Sequence, residues 1–212
     1  MPTDIELLEA WRAGDKDAGR SLFKRHYAAV TRFFRNKAGY EESEDLVQKT
    51  FLACVESKDR FRGDSSVRTY LFGIAYRKLC RHYQQRQRQQ RQRDKLDFGV
   101  QSVRELAPTA SQVVARRREQ RALLEALRRI PLQHQTILEL YYWEHMTAAG
   151  IAVALELPLG TVKSRLRRAK QLVREQLLAL ADDPKLLEST QQQLDDWATE
   201  LRQLVDTPER TS

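Results

Sequence analysis

The sequence has 212 residues, of which 41% are hydrophobic, and it carries a formal net charge of +8. This length fits one or two small domains, and the hydrophobic share supports modest helical cores but not a single large one. No run of about twenty apolar residues occurs, so the sequence predicts no membrane-spanning helix, and the positive charge favours a polyanionic partner.

The first half of the chain predicts four amphipathic helices, because apolar residues recur there at helical spacing. These helices are predicted at residues 4–13, 16–36, 44–58 and about 66 to beyond 83. We expect Ser43 to cap the third helix and Ser65 or Ser66 to cap the fourth. Since glycine and proline are few and no period-two strand pattern recurs, we predict an all-α protein.

The fourth predicted helix combines cations with aromatic residues. Residues 65–93 contain no acidic residue, and tyrosines and phenylalanines are interspersed among their arginines and lysines. Basic side chains follow a phosphate backbone, and aromatic rings stack on unpaired bases. The alternative is a core stripe followed by a solvated end, and for Tyr70 and Phe72 core packing and base contact are equally good interpretations.

A linker is predicted to separate the two halves. Residues 94–112 have poor periodicity and include Gly99 and Pro108, and fully extended they could reach roughly 60 Å. Two helices follow, at about 113–130 and 133–143, and Pro131 separates them.

The segment from Thr147 to Arg174 predicts a helix, a tight turn and a second helix. Thr147 is expected to cap the first helix, residues 157–160 to interrupt it, and Thr161 to cap the second. One face of the second helix is apolar, and the others are basic and polar. Between Leu157 and Arg174 no acidic residue occurs. This pattern indicates a helix-turn-helix that reads duplex DNA, although two surface helices with solvated charges would share it.

Residues 181–212 predict a further amphipathic helix whose acidic residues contrast with the basic surfaces. It is interpreted either as an extra helix docked on its own domain or as a regulatory element that masks the basic helix or binds a partner.

Nothing in the sequence predicts an enzyme, a metal site or a bound cofactor. The four histidines are scattered, and neither a phosphate-binding loop nor a nucleophile–base pair is found. Cys54 and Cys80 lie in apolar helical patterns and have no metal-ligand spacing, so we expect free thiols in the reducing cytoplasm. No secretory signal pattern argues against that location.

Three motifs give a resemblance to a known family. The string Pro158-Leu-Gly-Thr-Val-Lys-Ser-Arg165, followed by Arg167-Arg-Ala-Lys170, resembles region 4 of bacterial RNA polymerase sigma factors, above all the extracytoplasmic-function (ECF) group. Ser43-Glu-Asp-Leu-Val-Gln-Lys-Thr-Phe51 is similar to the polymerase-clamp-binding segment of sigma region 2. Phe61-Arg-Gly-Asp-Ser-Ser-Val-Arg-Thr-Tyr-Leu71 is similar to the segment that opens and reads the −10 promoter element.

The resemblance implies two small helical domains joined by a flexible linker, plus a C-terminal helical extension. We predict a region 2-like domain at 1–93, the linker at 94–112, a region 4-like domain at 113–180 and the extension at 181–212. Residues implied in −35 recognition are Thr161, Lys163, Ser164, Arg167 and Arg168. Residues implied in −10 recognition, where the loop around Phe61 would hold a flipped base, are Phe61, Arg62, Arg68, Tyr70, Arg77, Lys78 and Arg81.

The same resemblance implies that the third helix docks on core polymerase through Asp45, Leu46, Gln48 and Phe51. Without the resemblance, Leu46 and Phe51 are most simply interpreted as core residues, and Asp45 and Gln48 as solvated polar groups. The implied partners are bacterial core RNA polymerase (its clamp helices and flap), promoter DNA and, as a possibility, an anti-sigma factor. No membrane partner, catalytic residue or cofactor is implied.

The main alternative is a helix-turn-helix regulator that acts without polymerase. It accounts for residues 132–178 but leaves the aromatic and basic fourth helix and the Ser43–Phe51 segment unexplained. A non-specific RNA binder is a third interpretation, which sequence-independent binding would distinguish.

Overall fold

The computed structural model describes the backbone of residues 1–93 and 118–180, and the side chains of residues 1–89 and 123–180. These residues form two compact units. The first comprises residues 1–35, 40–93 and 149–157, and the second residues 36–39, 118–148 and 158–180. The predicted linker 94–112, residues 113–117 and the extension 181–212 lie outside the described residues, and the predicted domain boundaries stay predictions.

The predicted all-α class is confirmed, because every regular element of the described residues is helical. The first unit contains α1 (Asp4–Arg12), α2 (Lys16–Arg35), α3 (Tyr40–Ser57), a 3₁₀ turn (Lys58–Arg60), α4 (Val67–Arg93) and nearly all of α7 (Ala148–Leu155). The second unit contains α5 (Arg118–Arg129), α6 (Leu132–Tyr142) and α8 (Leu159–Leu180).

Short polar caps determine where the first two helices begin. Thr3 and Glu6 form a capping box, in which the Thr3 hydroxyl accepts from the Glu6 amide at 3.3 Å and the Glu6 carboxylate accepts from the Thr3 amide at 2.7 Å. The Asp15 carboxylate accepts from the Asp17 amide at 2.8 Å. Gly14, at φ +109°, allows the tight connection between α1 and α2.

Aromatic side chains dominate the core of the first unit. Phe33 and Phe72 are buried and meet edge to face with ring centroids 5.7 Å apart. Burying each such ring contributes about 1.5–3 kcal/mol. A second apolar cluster joins α1 to α2 and to the chain leading into α4; it consists of Leu7, Leu8, Ala18, Leu22, Phe61 and Val67.

Two details of α3 differ from the sequence prediction. The helix begins at Tyr40, so Ser43 lies inside it and is buried rather than capping it. Glu41 and Glu42 occupy the first turn, where carboxylates favour the positive end of the helix dipole, and this explains the earlier start. The apolar pattern of residues 44–58 also places Val55 on the inner side of this helix, but Val55 is 40% exposed. The predicted cap of α4 is confirmed for Ser66, whose hydroxyl accepts from the Thr69 amide at 3.0 Å.

The second unit packs α5, α6 and α8 around one apolar cluster. Its buried members are Leu123, Ala126, Leu127, Ile130, Leu138, Trp143, Ala169, Val173 and Leu177. The same unit contains a buried ion pair between Lys37 and Glu139, and Asn36 donates to the Glu139 carboxylate at 3.0 Å. Burial lowers the pKa of Lys37, and the negative charge of Glu139 opposes that shift. Removing either partner would leave an uncompensated buried charge.

The turn before α8 also differs from its prediction. Helix α7 ends in a Schellman arrangement, in which the Leu157 amide donates to the Ala152 carbonyl at 2.9 Å and Glu156 takes φ +56°. Glu156 therefore makes the left-handed turn that glycine makes more commonly. Helix α8 then starts directly after Pro158, which places Gly160 and Thr161 inside its first turn. The prediction that Thr161 caps this helix is wrong, because the helix begins three residues earlier than expected: the Pro158 carbonyl already accepts from the Val162 amide at 3.1 Å.

Candidate nucleic-acid-binding surfaces

The predicted −35 residues lie together on one side of α8. Lys163, Ser164, Arg167 and Arg168 are exposed, and Thr161 is partly exposed. Residues spaced by three and four share a helix face, and the opposite face, with Val162, Ala169 and Val173, is buried. The sequence of α8 therefore produces a helix anchored on one side and cationic on the other.

Contacts within the second unit distinguish the cations of α8. Arg168 donates to the Glu175 carboxylate at 3.2 Å, and both side chains are about half exposed. Lys170, by contrast, lies over the ring of Tyr142, with its Nζ 5.1 Å from the ring centroid. Burial lowers the pKa of His134, and the nearby positive charge of Arg168 contributes to that shift. His134 is therefore less prone to become a further cation near this face.

The loop after α3 places Phe61 in the interior. Its side chain is only 8% exposed, and its ring centroid lies 4.9 Å from that of Tyr70. Tyr70 is itself held inward, because its hydroxyl donates to the Ser57 carbonyl at 3.0 Å. Base capture by Phe61 stays a prediction, and in this structure the ring packs against protein. Arg62 and Gly63, which follow Phe61, are exposed, and Gly63 takes φ +82°.

A cationic groove runs between α3 and α4 in the first unit, with a volume of about 460 Å³. Arg77, Lys78 and Arg81 line it, which brings together three of the predicted −10 residues. Arg60 lines the same groove and was missed by the sequence analysis. The sequence feature that could have indicated Arg60 is its position directly before Phe61, in the segment that leads to the basic helix. Glu56 is the acidic residue of this lining.

Two of the predicted −10 cations have protein partners. Arg77 forms an ion pair with Glu156 at 2.7 Å; the Arg77 side chain is about half exposed and that of Glu156 is largely exposed. Exposed pairs of this kind contribute at most about 1 kcal/mol, so a phosphate could replace the carboxylate at little cost. Arg68 is half-buried, and its guanidinium carbon lies 5.4 Å from the centroid of the Phe72 ring. Arg68 is thus partly engaged with the core of the unit.

The four predicted polymerase-docking residues divide between two faces of α3. Asp45 and Gln48 are exposed, whereas Leu46 and Phe51 are buried. Leu52, one turn after Gln48, is 58% exposed and lies on the same face as Asp45 and Gln48. We refer to Asp45, Gln48 and Leu52 as the outer face of α3. Leu52 was not among the predicted docking residues, and it adds an apolar side chain to the polar groups of this face.

Among residues 1–93 and 118–180, no group of three or more His, Cys, Asp or Glu side chains is placed to hold a metal ion. None of the helices described there combines the length and the apolar character needed to span a bilayer.

Comparison with known proteins finds two family models along the chain. Residues 22–89 match the model of Sigma-70 region 2, and residues 120–173 match the model of Sigma-70, region 4. Together these segments cover more than half of the 212 residues, and each contains one of the two cationic surfaces described above.

Curated relatives match over most of their own length. The ECF RNA polymerase sigma-E factor of Haemophilus influenzae is 25% identical over 185 residues, which are 84% of this chain and 97% of the relative. The ECF RNA polymerase sigma factor SigM of Mycobacterium tuberculosis is 28% identical over 169 residues, covering 79% and 81%.

Two solved structures share the fold. One is CnrH in complex with the cytosolic domain of CnrY, with a TM-score of 0.63 and 22% identity, covering 85% of this chain and 99% of that one. The other is the sigma factor RpoE in complex with the anti-sigma factor NepR from Bartonella quintana, with a TM-score of 0.59 and 19% identity, covering 77% and 98%.

Proposed function

Because this chain belongs to the sigma-70 family of RNA polymerase factors, and to its ECF group, we propose that three of its surfaces have separate roles in promoter-specific initiation. The exposed face of α8 reads duplex DNA at the −35 element. The groove between α3 and α4 holds the unpaired strand of the −10 element, and the outer face of α3 docks on core polymerase. The observation that carries this proposal is that each of the two family regions has a cationic surface of its own.

The face of α8 suits duplex DNA because a helix fits the major groove and its first turns approach the base edges. Lys163, Ser164, Arg167 and Arg168 all lie within the first ten residues of this 22-residue helix. An arginine can make two hydrogen bonds to a guanine edge, whereas lysine and serine are more versatile contacts. We therefore assign base reading to Arg167 and Arg168, and phosphate contact chiefly to Lys163.

The groove in the first unit suits a single strand rather than a duplex. Its four cations, Arg60, Arg77, Lys78 and Arg81, line a groove of about 460 Å³, and a positively charged groove that follows the backbone is typical of single-strand binding. Cations arranged along a groove follow a phosphate backbone without reading its sequence. Sequence preference at the −10 element would then come from bases that leave the backbone and meet the loop at residues 61–66.

Docking on polymerase is assigned to the outer face of α3. Leu52 provides an apolar contact, and Asp45 and Gln48 provide polar contacts on the same side. Lys49 forms an exposed ion pair with Asp45, which is weak enough to rearrange when a partner binds. Leu46 and Phe51 support this face from inside, so their contribution to docking is indirect.

The sigma-70 family is not a class of enzymes, and we propose that this chain has no catalytic activity of its own, so that RNA synthesis belongs to polymerase. Its partners would be core RNA polymerase, contacted through the clamp helices and flap, and promoter DNA. The solved structures contain CnrH in complex with the cytosolic domain of CnrY and RpoE in complex with the anti-sigma factor NepR, and we propose an anti-sigma partner here too. Action on polymerase implies a cytoplasmic location.

The test is reconstituted transcription. The purified full-length chain is mixed with bacterial core polymerase and a library of random promoters, and the 5′ ends of the transcripts are sequenced. We expect discrete start sites that share two upstream elements. If no transcripts form, and the chain binds duplex DNA without associating with polymerase, the function is that of a free-standing regulator.

Point variants then test the division of surfaces on a promoter from this library. Arg60→Ala and Lys78→Ala should slow opening of the duplex promoter, with the −35 preference unchanged. Leu52→Asp should weaken association with core polymerase. Arg20→Ala is the matched control, because Arg20 is highly exposed on α2 and forms its ion pair with Asp17, a neighbour on the same helix.

A further inference from the structure

Helix α1 is held in place at both ends, although none of the surfaces assigned above uses it. At its start, Asp4 accepts from Arg25 and lies next to His26, each at 2.6 Å. At its end, Arg12 reaches across to the segment that follows α3. A short helix fixed in this way can act as a support for whatever its last residue contacts.

The Arg12 side chain donates to two carbonyls of the segment that follows α3. Its Nε lies 2.9 Å from the Lys58 carbonyl oxygen, and a terminal nitrogen donates to the carbonyls of both Lys58 and Phe61. Carbonyls at the end of a helical segment have few partners within it, so a charged donor from another element fixes their direction. Arg12 is partly buried, and its guanidinium carbon also lies 5.9 Å from the centroid of the Phe61 ring.

Arginine is well suited to this position. Its planar guanidinium presents several donors in a fixed arrangement, so one side chain can hold two carbonyls at once, whereas a lysine ammonium is a single point charge. The two carbonyls belong to residues on either side of Arg60 in the chain, and Arg60 lines the cationic groove. Arg62, in the exposed loop, directly follows the second of these residues. The backbone that Arg12 holds therefore determines where both of these cations are directed.

We propose that Arg12 is a positioning residue for recognition of the −10 element. It fixes the backbone at Lys58 and Phe61, and thereby places Arg60 and Arg62 for the unpaired strand. This inference rests on the proposed function of the groove and the loop. It adds a residue that lies outside both of them and belongs to a different helix.

The test uses full-length Arg12→Lys and Arg12→Met, with Arg20→Met as the control that removes the same charge from an exposed site. In the free protein, the Phe61 amide donates to the Lys58 carbonyl that Arg12 holds, at 3.3 Å. Hydrogen exchange of this amide should accelerate at least about tenfold in Arg12→Met, the factor expected from losing a charged hydrogen bond to that carbonyl. Arg12→Lys should lie between that variant and the wild type. The amides of α2 and of the first turns of α4 should exchange at wild-type rates.

The second readout is −10 discrimination by the holoenzyme formed with core polymerase. On promoters from the library, open-complex formation is compared between the selected −10 element and one with a single base changed. Arg12→Met should reduce this ratio by about tenfold, because the loop at residues 61–66 loses the charged hydrogen bond that fixes its first carbonyl. Arg12→Lys should restore part of the ratio, and the −35 preference should be unchanged. Both variants are measured below their own melting temperatures, and if Arg12→Met does not fold, Arg12→Lys carries the test.

Two results would overturn the proposal: unchanged exchange of the Phe61 amide, or faster exchange of that amide with intact −10 discrimination. A loss of activity that is equal for both −10 sequences would mean that Arg12 places only the phosphate-contacting Arg60 and not the loop at residues 61–66, and it would overturn the role of Arg12 in −10 discrimination. If the wild type itself gives no promoter-specific transcription, the proposed function fails instead. The exchange rates would then still show whether Arg12 holds the loop.

Discussion

Arg168 donates a hydrogen bond to Glu175, two turns further along α8, at 3.2 Å. The pair lies on the exposed side of the helix that we assign to −35 recognition, and both side chains are about half exposed. An ion pair in such a setting contributes at most about 1 kcal/mol. The carboxylate can therefore align the guanidinium in the free protein and give way to a guanine edge in the complex.

Replacing Arg168 with alanine should relax the choice of base at one position of the −35 element by about 1–3 kcal/mol, because a two-point contact to guanine would be lost. The measurement is binding by the holoenzyme to promoters that carry each of the four bases in turn. Arg174→Ala is the matched control, since Arg174 is exposed on the same helix but lies further from its start. An equal loss for all sequences would mean that Arg168 contacts only phosphate.

Replacing Glu175 with glutamine should strengthen binding to every duplex sequence by up to about fivefold at low salt, since a negative charge and a competing partner of Arg168 are both removed. The gain should shrink as salt is raised to about 0.3 M, because screening weakens exposed charges. Binding to a duplex −35 fragment is measured across a salt series. Weaker binding in this variant would show that Glu175 is needed to align Arg168.

Local sequence patterns predicted the helices well because the apolar stripe of each helix can be recognised from neighbouring residues alone. The all-α class and the ECF assignment are confirmed, and so is Ser66 as the cap of α4. Ser43 and Thr161 were wrongly expected to cap helices. A serine or threonine inside a first turn looks the same in sequence as one at its start, and the glutamates before Ser43 and Pro158 before Thr161 decided the boundaries.

Tertiary contacts explain what the sequence could not predict about the candidate site. Phe61 lies in a polar stretch of sequence, yet its ring is buried because α1 brings Leu7 and Leu8 to it from a distant part of the chain. Arg60 became a candidate only when the turn after α3 placed it in one groove with Lys78 of α4. Such long-range placements leave no periodic signal in the sequence. The roles of the individual site residues stay predictions.

Two glycine substitutions should change stability in opposite directions. At Gly19 in α2, an added Cβ would lie 2.7 Å from the Trp11 ring nitrogen, so Gly19→Ala should destabilise the protein by about 1–3 kcal/mol despite alanine's better helix propensity. At Gly160 in α8, nothing lies within 4 Å, so Gly160→Ala should stabilise by up to about 1 kcal/mol. Thermal and urea unfolding check both, and stabilisation by Gly19→Ala would show that the Trp11 ring moves aside without cost.

The protein should lose stability as the pH falls below neutrality. Burial lowers the pKa of His26, although the Asp4 carboxylate at 2.6 Å opposes that shift, and burial also lowers the pKa of His82 and of His134. Because the unfolded histidines bind protons first, this stability is fully present above about pH 6.5 and is lost as the pH falls through the folded pKa values. The melting temperature should therefore fall between about pH 7.5 and about pH 5.5.

His26→Gln tests the share of His26 in this pH dependence, since the amide keeps a donor toward Asp4 but does not titrate. Its melting temperature should fall less over the same pH range than that of the wild type. His145→Gln is the control, because His145 is exposed. Identical pH dependence in the wild type and in His26→Gln would show that His26 is not a source of the effect.

Cys54 should be nearly inert to thiol reagents in the folded protein. Burial raises its pKa to about 11, so at about pH 8 only about one molecule in a thousand carries the reactive thiolate. The measurement is the rate of reaction with a disulfide reagent in Cys80→Ser, which leaves Cys54 as the single thiol of the chain. Reaction should be slow in buffer and fast in guanidinium chloride, where the side chain is solvated. A native rate like that of a free small thiol would mean that α3 opens readily, because the buried side chain itself, 2% exposed, admits no reagent.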